Sequence, residues 1–533
     1  MSDMPGYNDS WTGNAQPKLR LPIQKSPTRF AYGERPIISN PMSPEHMRSP
    51  TDEEFAGFRS KEEPTGLAAE PLNIIILGAS FGGLSCAHHF LDTTLEQLSK
   101  INDAGLTYRL ILVGPSTHIY WNIGAPRAIV KSGLVKSEDQ FLPIEPGFHK
   151  DRAKNFTIIQ GQCVSMDATS RTVSIECTDY EAQRRLHLVA AKYSSYKPLG
   201  GKMADLPKVQ TLPYHALIMC TGTSARSELL SLHGQYLETE AALNKIHQQI
   251  SHAKSIVVCG GGCSGVEVAG QLATHLNYKR HFPFRQKSSN PKQITLLSGG
   301  DTLLKEVSAL GKPDVSAKAE KMLKKLGVVV RHGIRVASHE SWFDQTGATR
   351  ITFEDGTTHI TDVYIDCTGV EPNSDFAPES IKSRDGYILT NNKTLRVDVA
   401  GERVYALGDV ASYSKNYVLD VYHGVPVVMQ NLLNDLLLYT WSTANPYSDH
   451  SDKLAALEHE EFDPHTPKNS QICPITKFGG AGILGGFKLP SVAVWGLKGR
   501  HYVVQKARMV VDDGGNPYAM PVQGDKYYAG NKG

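Results

Sequence analysis

The pattern of apolar and polar positions changes abruptly near residue 72. Up to residue 71 apolar residues stand alone, show no period, and share the stretch with ten of the chain's 30 prolines. From Asn73 onward, short apolar runs alternate with glycine-rich turns and longer mixed stretches. Asn73-Ile-Ile-Ile-Leu77 and Tyr108–Val113 read as strands buried on both faces, because such strands form continuous apolar runs. Leu84-Ser-Cys-Ala-His-His-Phe-Leu91 reads as the helix between them. The same grammar returns with a strand at Ser255–Cys259, a glycine turn, a helix from Val266 and a strand at Gln293–Leu297. Two strand–glycine–helix–strand units, about 180 residues apart, predict an α/β fold with two Rossmann-like dinucleotide-binding domains.

Other segments fill in the plan. Ala216-Leu-Ile-Met-Cys-Thr221-Gly222 and Val363-Tyr-Ile-Asp-Cys-Thr368-Gly369 are strands that each end in Thr-Gly. Val404-Tyr-Ala-Leu-Gly408-Asp409 is a strand that ends in Gly-Asp. Ile351-Thr-Phe-Glu-Asp-Gly356 carries the Asp-Gly turn of a hairpin. The expected organisation is a disordered arm at 1–71 and the first part of one nucleotide domain at 72–235. A second nucleotide domain follows at 236–370. The first domain returns at 371–445, and an α+β segment at 446–533 covers the site.

The turns carry candidate chemistry. Gly260, Gly262 and Gly265 fit G-x-G-x-x-G directly after a strand. The first glycine permits the tight turn, the second lets a pyrophosphate approach the backbone, and the third lets helix and strand pack closely. Phosphates then meet free N–H groups at a helix N-terminus. The first turn is a degraded version, with Gly78, Ser80 and Gly83 at the key positions. A purely structural turn is the competing reading of both.

Composition narrows the function. Lys+Arg 56 against Asp+Glu 54 leaves a net charge of +2, which argues against a nucleic-acid partner. No apolar stretch is long enough for a transmembrane helix. Eight scattered cysteines, several inside apolar runs, read as buried thiols in a reducing compartment. The expectation is a cytoplasmic protein that visits an intracellular membrane surface at most and is not secreted. The arm lacks an apolar signal core, acids interrupt any mitochondrial presequence, and Ser2 excludes N-myristoylation. Ser-Pro pairs at Ser26, Ser43 and Ser49 read as linker punctuation or phosphorylation sites. No C-x-x-C, zinc spacing or G-x-x-x-x-G-K-[ST] occurs, so no metal, P-loop or adjacent redox disulfide is expected.

Taken in order, the motifs resemble the two-dinucleotide flavoprotein oxidoreductases. Within them the sequence is most similar to the apoptosis-inducing-factor-like, mitochondrion-associated 2 group, the ferroptosis-suppressor type. The specific parts are Gly-Ala-Ser-Phe-Gly-Gly83, His118 to Arg127, Gly-Val-Glu267, the Gly-Asp409 strand, Gly480 to Phe487 and Lys498-Gly-Arg500. This resemblance implies FAD as bound cofactor, NADH or NADPH as reductant and a quinone-like acceptor. FAD would lie on Gly78, Ser80, Phe81, Gly82, Gly83, Arg127, Cys163 (through its backbone), Thr221, Gly222, Gly408 and Asp409. NAD(P)H would lie on Gly260, Gly262, Gly265, Glu267, Ser298 and Gly369.

Read from the residues alone, Glu267 is a carboxylate in the first turn of a helix, where the dipole favours it anyway. Two departures stand out. The acid that usually ends the second strand is Gly114 in the first unit and Ser298 in the second. Without it a 2′-phosphate is not rejected, yet no arginine stands beside Ser298 in the sequence to grip one.

No catalytic acid is fixed, and Glu267 and His423 are the weak candidates. His118, Tyr120 and Trp121 either line the acceptor side or pack. Phe487, Leu489, Val492, Val494, Trp495 and Leu497, flanked by Lys488, Lys498 and Arg500, read either as a membrane-surface patch or as a buried strand over the flavin. Other readings kept open are reduction of a protein electron carrier or of oxygen, and a regulatory stress or death-signalling protein that binds its cofactors with little turnover.

Overall fold

The computed structural model describes residues 70–101, 104–148, 155–190, 206–280, 285–305, 313–341, 347–463 and 470–519. The expected arm up to residue 69, with its Ser-Pro pairs, lies outside the described residues.

Strand β1 (Leu72–Leu77) is buried throughout from Asn73. Its alternation sends Ile74 and Ile76 into one core and Ile75 and Leu77 into another, so both faces are covered and the sequence shows a run. Helix α1 (Phe81–His89) follows, then a π turn (Phe90–Thr94) and a helical end (Leu95–Lys100), so the helix extends past the predicted segment at both ends. Strand β2 (Tyr108–Gly114) runs parallel to β1, with Leu72 opposite Tyr108 and Leu77 opposite Val113. Strand β3 (Phe156–Asp167) continues parallel, and β4 (Thr172–Cys177) and β5 (Val209–Pro213) turn back antiparallel. Strand β6 (Ala216–Met219) pairs with the other side of β1.

The second unit repeats the plan with β7 (Ser255–Cys259), helix α2 (Cys263–Leu276), β8 (Gln293–Leu297) and β9 (Val329–Arg331). An antiparallel sheet of β10 (Val336–Ser341), β11 (Thr349–Phe353) and β12 (Thr358–Thr361) intervenes, with the Asp355-Gly356 turn at φ +83° for the glycine. Strand β13 (Val363–Asp366) then closes a parallel sheet in the order β9-β8-β7-β13.

The chain returns to the first sheet through β14 (Val404–Ala406), which pairs with β6 and gives the order β14-β6-β1-β2-β3-β4-β5. Helix α3 (Val418–Ala444) packs Val428, Leu432 and Leu436 into the core that holds Leu84 and Ile74. Among the described residues no helix is long and apolar enough to cross a membrane.

The C-terminal segment touches both units. Hairpin β15 (Gln471–Thr476) and β16 (Gly479–Leu484) contributes Cys473, Ile475, Ala481 and Ile483 to the core of the second unit. A Cβ on Gly270 of α2 would overlap the Ile475 carbonyl, so the hairpin lies directly on that helix. The apolar run beyond it opens with a short strand (Phe487–Lys488) paired to β16 and continues as helix (Ser491–Val494, then a π turn at Trp495–Gly499), so only its start matches the strand that was one of its two readings. The last described helix (Ala507–Asp513) reaches α1, where Ser85 Oγ donates to Gly514 O (2.6 Å) and His88 Nε2 pairs with Val511 O (2.8 Å).

Candidate active site

The two glycine turns are built alike. Gly78 N donates to Val113 O (2.7 Å) and Gly260 N to Leu297 O (2.8 Å). Both glycines have positive φ, +106° and +127°, and a Cβ on either would overlap a carbonyl, that of Cys220 or that of Cys367. These are the cysteines of the two Cys-Thr-Gly strand ends, and their N–H groups close the crossings by donating to Leu77 O and Cys259 O. Gly83 and Gly265 complete each turn, since a side chain there would overlap the carbonyl of Gly78 or Gly260.

Each helix therefore starts at the edge of its sheet. Their N-caps, Ser80 and Gly262, provide no side-chain cap, which leaves the first amides to be satisfied by something else. Nothing lies within 4 Å of a Cβ placed on Gly262, Gly222 or Gly369. The cradle is open where a pyrophosphate would sit, so the residues present fit two dinucleotides.

The side chains expected around the first cofactor divide into several groups. Phe81 meets Trp121 with ring centroids 5.5 Å apart. Arg127 is buried and donates from Nε to Gln271 Oε1 (3.1 Å), from Nη1 to Arg500 O (3.0 Å) and from Nη2 to Gly499 O (2.6 Å). It thus ties the first unit to α2 and to the C-terminal segment. The Cys163 thiol donates to Ser165 O (3.3 Å) across a bulge, and burial pushes it up to about 12. Thr221 Oγ1 donates to Asn373 O (2.6 Å), fastening the crossing between the units. Gly408 sits at φ +77°, and Asp409 accepts from Ser414 Oγ (3.4 Å).

Trp121 Nε1 donates to Tyr502 O (2.8 Å), Tyr120 Oη donates to Leu229 O (2.7 Å), and His118 stacks near Tyr236 (3.9 Å). The first two are buried. His423 lies on α3, partly buried, and its Nδ1 has no hydrogen-bond partner among the described residues.

The second unit holds the most strongly charged feature. Helix α2 begins at Cys263, three residues before the predicted start at Val266, so Glu267 is in its second turn and not its first. The carboxylate is 1% exposed. Lys498 Nζ donates to Glu267 Oε1 at 2.7 Å, and the Cys263 thiol donates to the same oxygen at 3.1 Å. Burial pushes Glu267 above the usual carboxylate range, against Lys498 and the thiol. Burial also works against the Lys498 ammonium, yet Glu267 holds it above the ordinary lysine range. Lys498 is therefore the persistent cation, and Glu267 Oε2 is buried beside the Tyr502 side chain with no hydrogen bond within standard geometry among the described residues.

Sequence reading placed Lys498 beside a segment that was either a membrane-surface patch or a buried strand, and gave Tyr502 no role. The Arg127 guanidinium lies 4.6 Å over the Tyr502 ring, and Tyr502 and Val503 both adopt positive φ (52° and 58°). Cys263, Glu267 and Cys473 also converge, with one potential ligand atom from each within 4.8 Å of the others. The cation that faces this cluster is Lys498. The sequence cues to this assembly were the Gly-Val-Glu267 and Lys-Gly-Arg500 motifs, and nothing in the sequence joined them, because Lys498 and Glu267 lie 231 residues apart along the chain.

At the end of β8, Ser298 is buried, and its hydroxyl donates to Gly300 O (3.3 Å). The sequence offered no arginine here, but the fold brings one from the turn after β9. A Cβ on Gly299 would lie 3.3 Å from Arg335 Cγ and 3.5 Å from Cζ.

The segment read either as a membrane patch or as a buried strand is split. Val494 is buried and Lys498 is paired inside, while Phe487 (79%), Val492 (66%) and Leu497 (48%) are exposed, as is Phe478 (53%) outside the segment. Lys477 lies 5.7 Å from the Phe478 ring centroid, Arg500 lies 5.8 Å from that of Trp495, and Lys488 pairs with Asp314 (2.6 Å).

Two dinucleotide-type turns built alike, each with its Thr-Gly crossing, define the class, and comparison with known proteins agrees. Residues 72–430 match the model of the pyridine nucleotide-disulphide oxidoreductases, and the chain belongs to that family. It is an oxidoreductase that binds FAD and NAD(P)H. It is similar to oxidoreductase phnG of Penicillium herquei, with 30% identity over 443 residues, covering 82% of this chain and 94% of that one. It is 26% identical to human (Homo sapiens) ferroptosis suppressor protein 1 over 353 residues, covering 64% and 74%. In structure it resembles NDH2 from Plasmodium falciparum in complex with RYL-552, with a TM-score of 0.51 at 13% identity, covering 83% and 98%.

Proposed function

We propose that the protein takes hydride from NAD(P)H and passes the electrons to a quinone-like acceptor, which reaches the Lys498–Glu267 pair from the exposed apolar rim. The observation that carries this reading is a buried ion pair on the helix that opens from the second glycine turn. FAD, when bound, supplies the two-electron exchange between nicotinamide and acceptor. Gly78, Ser80, Gly83 and Asp409 would hold it, and Gly260, Gly262 and Gly265 would hold NAD(P)H.

The remaining work falls to the chain. Uncapped amides at the starts of α1 and α2 bind the two pyrophosphates. Trp121, Tyr502 and the hairpin exclude water. A quinone needs protons as well as electrons, and Lys498 Nζ holds one beside Glu267 with 17% of its side chain exposed. Because Glu267 keeps Lys498 charged, the ammonium would steady negative charge on the reduced oxygen, and of the two protons the quinone takes up, one derives from the hydride of NAD(P)H and the other from solvent at the exposed edge. Phe478, Phe487, Val492 and Leu497, with Lys477 and Arg500 beside them, suit a protein that rests on a bilayer surface and admits a lipid-soluble acceptor.

The test is anaerobic. Purified yellow protein should bleach with NADH or NADPH and recover its colour when a water-soluble ubiquinone is added. Bleaching that quinone does not reverse would remove the acceptor assignment. A protein that carries no flavin would remove the whole reading.

A further inference from the structure

We propose that Arg335 forms a 2′-phosphate subsite beside Gly299, which makes NADPH the preferred reductant. The inference rests on the reading above that the Gly260–Gly265 turn holds the nicotinamide nucleotide. In such a unit the adenosine ribose lies past the end of the second strand, where a carboxylate bonds the 2′-hydroxyl and repels a phosphate. Here the strand ends in Ser298, whose hydroxyl is turned to Gly300 O. The next residue, Gly299, has no side chain, and the stem and guanidinium of Arg335 lie along it. A Cβ at Gly299 would sit 3.3 Å from Cγ, 3.5 Å from Cζ and 3.5 Å from Nη1.

The turn that presents this arginine is held in register with the strand end. Ser298 N donates to Arg331 O (2.8 Å), Ile334 N to Ser298 O (3.0 Å) and Gly333 N to Gly300 O (3.1 Å). Ser298 also abuts the phosphate-binding turn, since its Oγ leaves no room for a side chain at Gly261. Pyrophosphate cradle, ribose position and Arg335 thus follow one another along a single edge.

The guanidinium is exposed, and among the described residues it has no hydrogen-bond or ion-pair partner. A planar, permanently charged fork with unspent donors matches a phosphate monoester better than a hydroxyl. It was invisible in the sequence because 36 residues separate Gly299 from Arg335 and only the pairing of β8 with β9 brings them together.

Calorimetric titration of the FAD-loaded full chain with adenosine 2′,5′-bisphosphate and with adenosine 5′-monophosphate, which differ only in the 2′-phosphate, tests this. The bisphosphate should bind at least about tenfold tighter, as one charge-assisted contact provides. Arg335→Ala should bring the two nucleotides to within about twofold of each other, and Arg335→Lys should keep part of the difference. The flavin spectrum of each variant reports that it is folded. Raising the salt concentration should shrink the preference in the wild type.

Equal affinity for both nucleotides in the wild-type protein, or a preference that survives Arg335→Ala, overturns the proposal. Failure of the flavin-reductase reading would look different. Neither NADH nor NADPH would bleach the protein, while the bisphosphate titration would still report on Arg335.

Discussion

Gly78–Gly83 and Gly260–Gly265 occupy equivalent points of two units, and their backbones solve one problem in one way. Each first glycine turns under a carbonyl of the neighbouring strand, and each last glycine admits the carbonyl of the first. The units part where side chains from elsewhere arrive. Helix α1 receives carbonyls of the chain's C-terminal helix at Ser85 and His88. Helix α2 receives a hairpin, the ammonium of Lys498 and, at its neighbouring strand end, Arg335. Even the residue that enters the crossing strand differs. His215 precedes β6, whereas Asp362 precedes β13 and accepts from Lys254 N (2.6 Å) and Ser255 N (2.8 Å). A duplicated backbone fixes where nucleotides can sit, and the added segments decide what each one does.

That comparison can be broken at several points. The largest effect is expected from Gly83→Val and Gly265→Val, which each force a side chain into a carbonyl. Each should cost at least about 3 kcal/mol, read by chemical denaturation. Equal stability to wild type would mean the close crossings are not needed.

Lys498→Met should cost about 3 kcal/mol by stranding a buried carboxylate, and adding Glu267→Gln should recover most of it. A double variant no better than the single one would deny the coupling. Gly262→Val meets open space, so it should fold and keep its yellow colour. It should weaken NAD(P)H binding by about tenfold to a hundredfold, measured by titration under anaerobic conditions. Asp409→Ala should instead lose the flavin, and identical behaviour of these two variants would erase the division between the units.

The smallest effect concerns acid. Burial, with Arg403 and Arg171 nearby, pushes His215 down to about 3, so it stays neutral in the fold but gains a proton near 6.5 when unfolded. The unfolded chain then binds more protons, and stability falls as pH drops below about 6.5, by about 1 kcal/mol at about pH 5.5. In the second unit, burial acts against ionisation of Asp362, but backbone donors hold it below its ordinary range. Its contribution is therefore lost only at a lower pH, below the carboxylate's unfolded value. His215→Gln should remove the earlier loss and leave the later one, as urea midpoints across pH would reveal.

Much of the scaffold was readable because its determinants are local. The runs at Asn73–Leu77 and Ser255–Cys259, the glycine spacing and the two Thr-Gly ends each occupy a few consecutive residues and have one steric explanation. The site was less legible, because its charges are assembled at long range. Nothing near Glu267 announces Lys498, 231 residues later, and nothing near Gly299 announces Arg335. The run from Phe487 to Leu497 left two readings open for a related reason. Its apolar residues are divided between a buried face at Val494 and an exposed one at Val492 and Leu497, and period alone does not say which face meets protein.

The clasp of the C-terminal segment has a mechanical corollary. One polypeptide stretch grips α1 through Ser85 and His88 and lies on α2 at Gly270, while Arg127 is bolted to its carbonyls at Gly499 and Arg500. Neither half can swing away or melt without tearing that stretch loose from the other. Heating should therefore produce a single sharp transition, and reductant must come and go through a rigid mouth with no hinged jaw.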